Sequence, residues 1–283
     1  MLKIGNYEIH SINTGSFRLD GGVFFGALEK PVWSKFIQPD SSNGIELAMR
    51  CLLLKGRNRN ILVDCGIGTK LNATERLKYS PNTASQNIDI SLHELGLTRA
   101  DIHHVILTHL HFDHAGGATE LNGSGDIIPS FPEATYHAQR KNLHHAQNPF
   151  DRDKNSYNPN DFQPLLRDRV LKLTAGSSEL FPGVELIVCD GHTIGQQLVK
   201  VSDRHKTLIY CGDLIPTTHH LTPHHVTAYD LYPELSVAEK KKLLSKVSQK
   251  NWILFFQHDP VVRACAIQKS PTGYSVREII PDL

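Results

Sequence analysis

A short segment of this chain concentrates side chains that bind metal ions. It reads THLHFDHAGG, spans residues 108–117 and directly follows the apolar run VIL. In extended chain, residues two apart point the same way, so His109 and His111 can approach one cation. After a turn, Asp113 and His114 face a neighbouring position. Three imidazoles and a carboxylate within six residues have no use in packing, so the segment predicts a metal site.

Three further donors lie at the ends of predicted strands. His192 belongs to DGHTIGQ, Asp213 ends the run TLIYCGD, and His258 ends the run WILFFQH. With the first cluster they make seven nitrogen or oxygen donors. A borderline divalent cation takes four to six such ligands, so seven donors exceed one cation and suit two that share a bridging carboxylate.

The elements that must position these donors are short apolar runs bounded by turn formers, typical of strands covered on both faces. They span 61–64, 105–108, 184–190, 207–213 and 252–258. The clearest helix is predicted over 236–250, with Ser236 and Glu239 as a capping box. Thr98 with Asp101 gives a weaker N-cap signal. Strands and helices alternate, which predicts an α/β fold.

Two stretches do not follow this alternation. Residues 17–36 are rich in glycine and aromatic residues, and residues 139–163 are polar and interrupted by proline. We expect both to be long surface excursions that wall or cover the site, with disorder as the alternative. The run Lys240, Lys241 and Lys242 is predicted to form a solvated helix face.

The composition limits the class of protein. The 283 residues are 40% hydrophobic and 21% charged with a net charge of +1, which indicates a packed core and argues against a nucleic-acid or membrane partner. Because no apolar run approaches the roughly 20 residues of a membrane span, we expect a soluble, cytoplasmic chain. The five cysteines form no CxxC pair, so we expect them to be reduced and buried.

The order of these motifs resembles the metallo-β-lactamase-fold hydrolases. HxHxDH is followed by GHTxGQ, a strand ending in Asp213 and a late strand ending in His258, over about residues 61–258. The resemblance is closest to the branch of N-acyl homoserine lactonases and methyl parathion hydrolase-like enzymes. It implies a four-layer αββα sandwich of two mixed sheets with outer helices, in one domain over 1–283, and it implies that Asp64 braces the metal loops.

The resemblance also implies the assignment of the donors. His109, His111 and His192 would hold one metal, Asp113, His114 and His258 the other, with Asp213 between them. Two divalent ions are implied, with zinc as the first choice and manganese, iron or cobalt as alternatives. A metal-bridging hydroxide would open a lactone or cleave a small ester, with Asp113 moving the proton to the leaving oxygen.

The sequence leaves several points open. Lactonases of the family have a tyrosine three residues after the bridging aspartate, where this chain has Pro216, so Tyr157, Tyr229 or Tyr232 could replace it. His219 and His220 could line the pocket or lie on the surface. The alternatives are an organophosphotriester hydrolase, a glyoxalase II-like thioesterase or a non-catalytic protein stapled by metal. A homodimer is also open, since Phe24, Phe25 and Trp33 look exposed and could form an interface.

Overall fold

The chain folds into two mixed β-sheets of seven strands each. A computed structural model describes it over residues 1–281. The first sheet has the order β1-β2-β3-β4-β5-β8-β9, with bounds Leu2–Ile4 (β1), Tyr7–Asp20 (β2), Gly44–Gly56 (β3), Asn60–Val63 (β4), His104–Ile106 (β5), Thr135–Gln139 (β8) and Leu171–Thr174 (β9). A separate ribbon pairs Thr119–Leu121 (β6) with Ile127–Pro129 (β7).

The second sheet follows in sequence order, from β10 to β16. Its strands are Ser178–Phe181 (β10), Val184–Cys189 (β11), Gln196–Ser202 (β12), Thr207–Tyr210 (β13), Ile253–Phe255 (β14), Ala264–Ser270 (β15) and Gly273–Ile279 (β16). The helices are Gly21–Phe25 (α1), Lys30–Trp33 (α2), Ala73–Tyr79 (α3), Ile88–Glu94 (α4), Phe112–Ala115 (α5), Arg140–Gln147 (α6), Gln163–Arg167 (α7) and Pro233–Lys250 (α8).

The hydrophobic core divides the molecule into four layers. Side chains of β3 and β4 in the first sheet, such as Leu52 and Val63, pack against Val199 and Tyr210 of the second sheet. The outer face of the first sheet is covered by α4, α6 and α7, and that of the second by α8. The predicted αββα sandwich is therefore confirmed. The apolar character of the central strands follows from this arrangement, because both of their faces are buried.

Each of the five predicted strands is present, but each ends before its polar residue. The chain leaves β13 at Tyr210, so Asp213 lies in a following 3-10 turn, and it leaves β14 at Phe255, ahead of His258. β13 and β14 are parallel neighbours, so their carboxyl ends open at the same edge of the sheet. The donors thus lie in loops beyond the strand ends, positioned by the buried strands before them.

The predicted capping box of the long helix is wrong. The helix α8 begins at Pro233, three residues before the predicted start, because the fixed φ of proline suits the first turn and no N–H is lost there. Ser236 is then inside the helix, with its hydroxyl oxygen buried. Glu239 instead accepts hydrogen bonds from the N–H groups of Asp190 and Gly191, at 2.8 and 3.1 Å.

The predicted surface excursions are also ordered structure. The strand β2 continues to Asp20, short helices follow, and Phe24, Phe25 and Trp33 are only 1–3% exposed, so their predicted exposure is wrong. They bury one another: Phe25 stacks on Trp33 with ring centroids 5.6 Å apart. Residues 139–163 likewise contain α6 and two 3-10 turns. Periodicity missed these elements because each helical segment is eight residues or shorter.

Three remaining predictions have mixed outcomes. The five cysteines are free and buried, as expected. Asp101 accepts hydrogen bonds from the N–H and hydroxyl of Thr98, as the N-cap signal indicated. The solvated lysine face is wrong at Lys240, which is 1% exposed. None of the helices within residues 1–281 combines the length and apolar character needed to cross a membrane.

Candidate metal centre

The seven predicted donors converge at one edge of the sandwich, although they come from both sheets. The loop after β5 and the short helix α5 supply four of them, and the loops after β11, β13 and β14 supply the other three. Their ligand atoms form two groups, each with all of its atoms within 4.8 Å of one another. Asp213 belongs to both groups. Five of the donors are buried histidines, with exposures of 0–5%.

Two glycines after the histidine segment allow this close approach. A Cβ built on Gly116 would lie 2.2 Å from the carbonyl oxygen of Ile67, and one on Gly117 would lie 2.1 Å from that of Cys65. Real Cβ atoms do not come so close to an oxygen, so only glycine lets the loop pack against the chain that follows β4.

The first group joins three imidazoles and one carboxylate oxygen. Nδ1 of His111 lies 3.0 Å from Nε2 of His109 and 3.2 Å from Nε2 of His192. Oδ2 of Asp213 lies 3.4 Å from Nε2 of His192 and 4.0 Å from Nε2 of His109. A proton shared by two of these nitrogens would leave the lone pair of the third nitrogen without a hydrogen-bond donor. A cation would satisfy all three, so the donor set fits a metal ion.

The second group shares the same carboxylate through its other oxygen. Oδ1 of Asp213 lies 3.0 Å from Nε2 of His114 and 3.2 Å from Nε2 of His258, and those two nitrogens are 3.3 Å apart. Oδ2 of Asp113 lies 3.5 Å from Nε2 of His258 and 3.9 Å from Nε2 of His114. Each group therefore includes a different oxygen of Asp213, which is the arrangement that a carboxylate bridging two cations requires.

The other ring nitrogen of four of the five histidines is held by a fixed partner. Nδ1 of His114 donates to Asp64 at 2.8 Å, and Nδ1 of His192 donates to Asp230 at 2.9 Å. Nδ1 of His258 donates to the carbonyl oxygen of Ala48 at 2.9 Å, and Nδ1 of His109 lies 3.1 Å from the hydroxyl of Thr108, which itself donates to Asp64. Such partners fix the ring so that Nε2 faces the centre.

Burial and the neighbouring charges set the electrostatics of the site. Burial, reinforced by the surrounding imidazoles, holds the pKa of His109 and His111 well below the ordinary value, so these rings are neutral and present lone pairs. Burial opposes a charge on His114, but Asp213, Asp113 and Asp64 outweigh it and raise its pKa. The second group therefore attracts positive charge, which a proton or a cation can supply.

A cavity of about 170 Å³ opens directly onto both groups. Its floor is formed by donors, namely His111, Asp113, Asp213 and His258. Its walls are apolar or aromatic, and its mouth is polar. The remaining lining residues are Leu19, Phe24, Lys78, Tyr79, Phe112, Arg152, Asn155, Ser156, Thr227 and Tyr229. Both stretches that we expected to wall the site contribute to this lining.

Of the three tyrosines left open by Pro216, one lines this cavity. Tyr229 is part of the lining, and burial of its ring raises the pKa of its phenol, with a smaller contribution from the negative charge of Asp113. Tyr157 is instead a support: its hydroxyl lies 2.6 Å from that of Thr193, and its ring packs on His111 at 4.7 Å. Tyr232 is 43% exposed and lies outside the lining.

The two histidines that follow Asp213 are not part of the cavity wall. His219 stacks on Phe36 with ring centroids 4.6 Å apart, and His220 stacks on Phe25 at 5.4 Å. Burial lowers the pKa of both rings. His220 is buried and His219 is half-buried, and their stacking holds the segment after Asp213 against α1 and the chain that follows α2.

Sequence reasoning missed several residues of the site. Asp230, which holds His192, lies 38 residues after it, and Glu239, which holds the turn before it, lies on α8. Lys78 and Arg152 at the mouth come from α3 and from the chain after α6. No fixed spacing links these residues to the metal motif, so only the fold reveals them.

Comparison with known proteins gives relatives over most of the chain. A model of the metallo-beta-lactamase superfamily matches residues 49–258. An N-acyl homoserine lactonase from Bacillus cereus is 27% identical over 226 residues, which cover 77% of this chain and 83% of that protein. The structure of a probable metal-dependent hydrolase from Staphylococcus aureus has a TM-score of 0.87 and 30% identity, covering 99% of this chain and all of that one.

A dizinc quorum-quenching lactonase, AidC, has been solved with the product N-hexanoyl-L-homoserine. It has a TM-score of 0.80 and 20% identity, and it covers 99% of this chain and 96% of its own. At that identity the likeness is one of fold.

Proposed function

The chain belongs to the metallo-beta-lactamase superfamily as a metallo-hydrolase, and we propose that it uses two divalent cations to open a lactone or to cleave a related small ester. The observation that carries this proposal is the sharing of Asp213: its two carboxylate oxygens face two separate groups of donors on the floor of one cavity. The lactonase relatives support the choice of a lactone or ester.

In this proposal each group of donors holds one cation. His109, His111 and His192 would hold the first, Asp113, His114 and His258 would hold the second, and Asp213 would contribute to both. Zinc is our first choice because imidazole and carboxylate suit it and because the lactonase neighbour is dizinc. When bound, such a pair of cations acidifies water and polarises a carbonyl oxygen.

Two residues of this chain would act on the substrate. Asp113 lines the cavity as a member of the second group, and we assign it the transfer of a proton to the leaving oxygen. Tyr229 lines the same cavity, and its phenol can donate a hydrogen bond to an oxygen of the substrate. We therefore infer that Tyr229 takes the role left open by Pro216.

The remaining lining residues orient the substrate and limit its size. Leu19, Phe24 and Phe112 give an apolar wall that excludes water from one side of the reacting group. A volume of about 170 Å³ corresponds to about six water molecules at about 30 Å³ each. A lactone ring with a short substituent fits this space, and a longer substituent has to leave through the mouth.

The test is turnover of a lactone and ester panel by protein that has been stripped with a chelator and reloaded with zinc. We expect activity to be lost on stripping and restored on reloading. Asp113→Asn should keep the fold and still bind metal, while kcat falls by about 10²–10⁴-fold because proton transfer is lost. Asp151→Asn, at a fully exposed carboxylate, is the control.

A smaller folded fraction of Asp113→Asn, with a wild-type kcat for the molecules that do fold, would instead support a purely structural metal site. A reloaded wild type that binds zinc but hydrolyses neither lactones nor esters would contradict the proposed reaction.

A further inference from the structure

Two cationic side chains flank the mouth of the cavity. Lys78 lies in the last turn of α3, and Arg152 lies in the segment after α6. Both line the cavity that has Asp113 and Asp213 on its floor, and both are exposed to solvent. They lie 74 positions apart in the sequence, from 78 to 152, so the fold alone brings them to one opening.

Neither cation is neutralised by the protein. Nζ of Lys78 lies 3.1 Å from the hydroxyl of Tyr79 and 4.7 Å from the centre of that ring. Arg152 donates to the carbonyl oxygens of Ala228 and Asp230, which fixes one end of its guanidinium group and leaves the rest of the fork available. Within residues 1–281 no carboxylate forms an ion pair with either side chain. Arg18 nearby, in contrast, is paired with Asp40.

The carboxylates on the cavity floor do not need these two charges. Asp113 and Asp213 face the imidazoles of His114 and His258 at 3.0–3.9 Å and belong to the donor groups. Bound cations would compensate them further. The positive charge at the mouth is therefore free to attract an anion from solvent.

A second cavity of about 640 Å³ adjoins the first and shares four of its lining residues. The shared residues are Leu19, Lys78, Tyr79 and Tyr229. A substituent that is too long for the first cavity can continue past this junction, where it meets the ammonium group of Lys78. A purely aliphatic chain would place apolar carbon beside that cation.

We propose that the substrate carries a negatively charged group, a carboxylate or a phosphate, remote from the bond that is hydrolysed, and that Lys78 and Arg152 bind it. The inference rests on the proposed hydrolysis of a small ester or lactone and adds the charge of the substrate to it. Lys78 supplies a flexible point charge, and Arg152 supplies a fork that suits two oxygens of one anion.

The first experiment measures binding without turnover. Zinc-loaded protein is titrated calorimetrically with butyrate, glutarate and 4-phosphonobutyrate, which share one carboxylate and differ in the group at the far end. We expect one or both dianions to bind about tenfold more tightly than butyrate, since two partly exposed ion pairs are added. The order of the two dianions tells a carboxylate from a phosphate preference.

The second experiment measures hydrolysis of the matching 4-nitrophenyl esters. We expect the ratio of kcat/KM for an anionic ester to that for the butyrate ester to fall about tenfold in the double variant Lys78→Met and Arg152→Met. The fall should come from KM. The same ratio should decrease with added salt in the wild type, because exposed charges are screened.

Lys154→Met is the matched control, since this exposed lysine lies close to Arg152 in sequence and is paired with Asp151 outside the cavity. Equal binding of butyrate and both dianions by the wild type would overturn the proposal, as would an unchanged ratio in the double variant. A preserved dianion preference without hydrolysis of any ester would support the anion site and contradict the proposed reaction.

Discussion

The imidazoles of the candidate metal centre are oriented by residues that do not face the cavity. Asp64 and Asp230 each accept the proton of one ligand histidine, and both are buried. Asp230 also accepts a hydrogen bond from the hydroxyl of Thr227 at 2.9 Å, so its carboxylate is held on two sides. This arrangement fixes His192 as the tautomer whose Nε2 lone pair faces the first group.

Replacing Asp230→Ala should therefore weaken metal binding at the first group. The ring of His192 would lose its fixed orientation, and we expect the affinity for zinc to fall by about 10–100-fold. Competition with a chromophoric chelator measures this directly. Asp151→Ala is the exposed control, and an affinity in Asp230→Ala equal to that of the control would refute the orienting role.

Among individual residues, the sequence predicted the candidate metal donors better than the residues that orient them. The seven donors follow one another at short motif spacings or at strand ends, and all seven converge. Asp230 has no such spacing, because its distance from His192 is set by the path of an irregular segment. Tyr229 could be chosen over Tyr157 only once the fold had placed one ring in the cavity and the other against His111.

Among the elements, the helix α8 holds the irregular segment that carries these residues. Nζ of Lys240 donates to the carbonyl oxygens of Thr222 and His225 from a nearly inaccessible position. Burial lowers its pKa from 10.5 to about 7, with Asp230 opposing the shift. These two hydrogen bonds tie the segment to the helix, but they require a buried lysine whose ammonium group loses its proton near neutral pH.

This gives a pH dependence of stability that can be isolated. Between pH 7 and about 10.5 the unfolded chain keeps a proton that folded Lys240 has released, so the free energy of unfolding rises with pH in this window. The slope is at most about 1.4 kcal/mol per pH unit. Below pH 7 both states hold the proton, and this contribution no longer changes.

Urea denaturation of the wild type and of Lys240→Met at pH 7, 8, 9 and 10 tests this. The wild type should gain stability relative to the variant as the pH rises. Lys241→Met, at the exposed neighbouring position, should follow the wild type. Parallel curves for the wild type and Lys240→Met would show that Lys240 keeps its proton in the folded chain.

The secondary-structure elements that were predicted correctly are those that a single property of the sequence determines. The five predicted strands are apolar almost throughout, and each is present. The start of α8 was missed because Pro233 begins the helix before the apolar spacing starts. The burial of Lys240 was missed because it depends on carbonyl groups of a distant loop, and that of Phe25 and Trp33 because it depends on their stacking on each other.

In the whole molecule the candidate metal centre lies where the two sheets meet. The first sheet supplies His109, His111, Asp113 and His114, and the second supplies His192, Asp213 and His258. Ligands from both sheets would make cation binding a link between them. Because the sheets also share one core, we propose that they form a single domain.

Metal removal should accordingly destabilise the entire fold. A cation that binds only the folded chain adds about 2.7 kcal/mol at a free concentration 100 times its Kd. We expect one cooperative thermal transition that moves upward as zinc is added to stripped protein, followed by calorimetry. A transition temperature independent of zinc, or two separate transitions, would contradict a centre that joins the sheets.

The most direct measurement is anomalous diffraction at the zinc edge from crystals of the zinc-loaded protein. The account predicts two peaks in each chain, one on either side of the Asp213 carboxylate, the first among His109, His111 and His192 and the second among Asp113, His114 and His258. A single peak, or peaks away from Asp213, would contradict it.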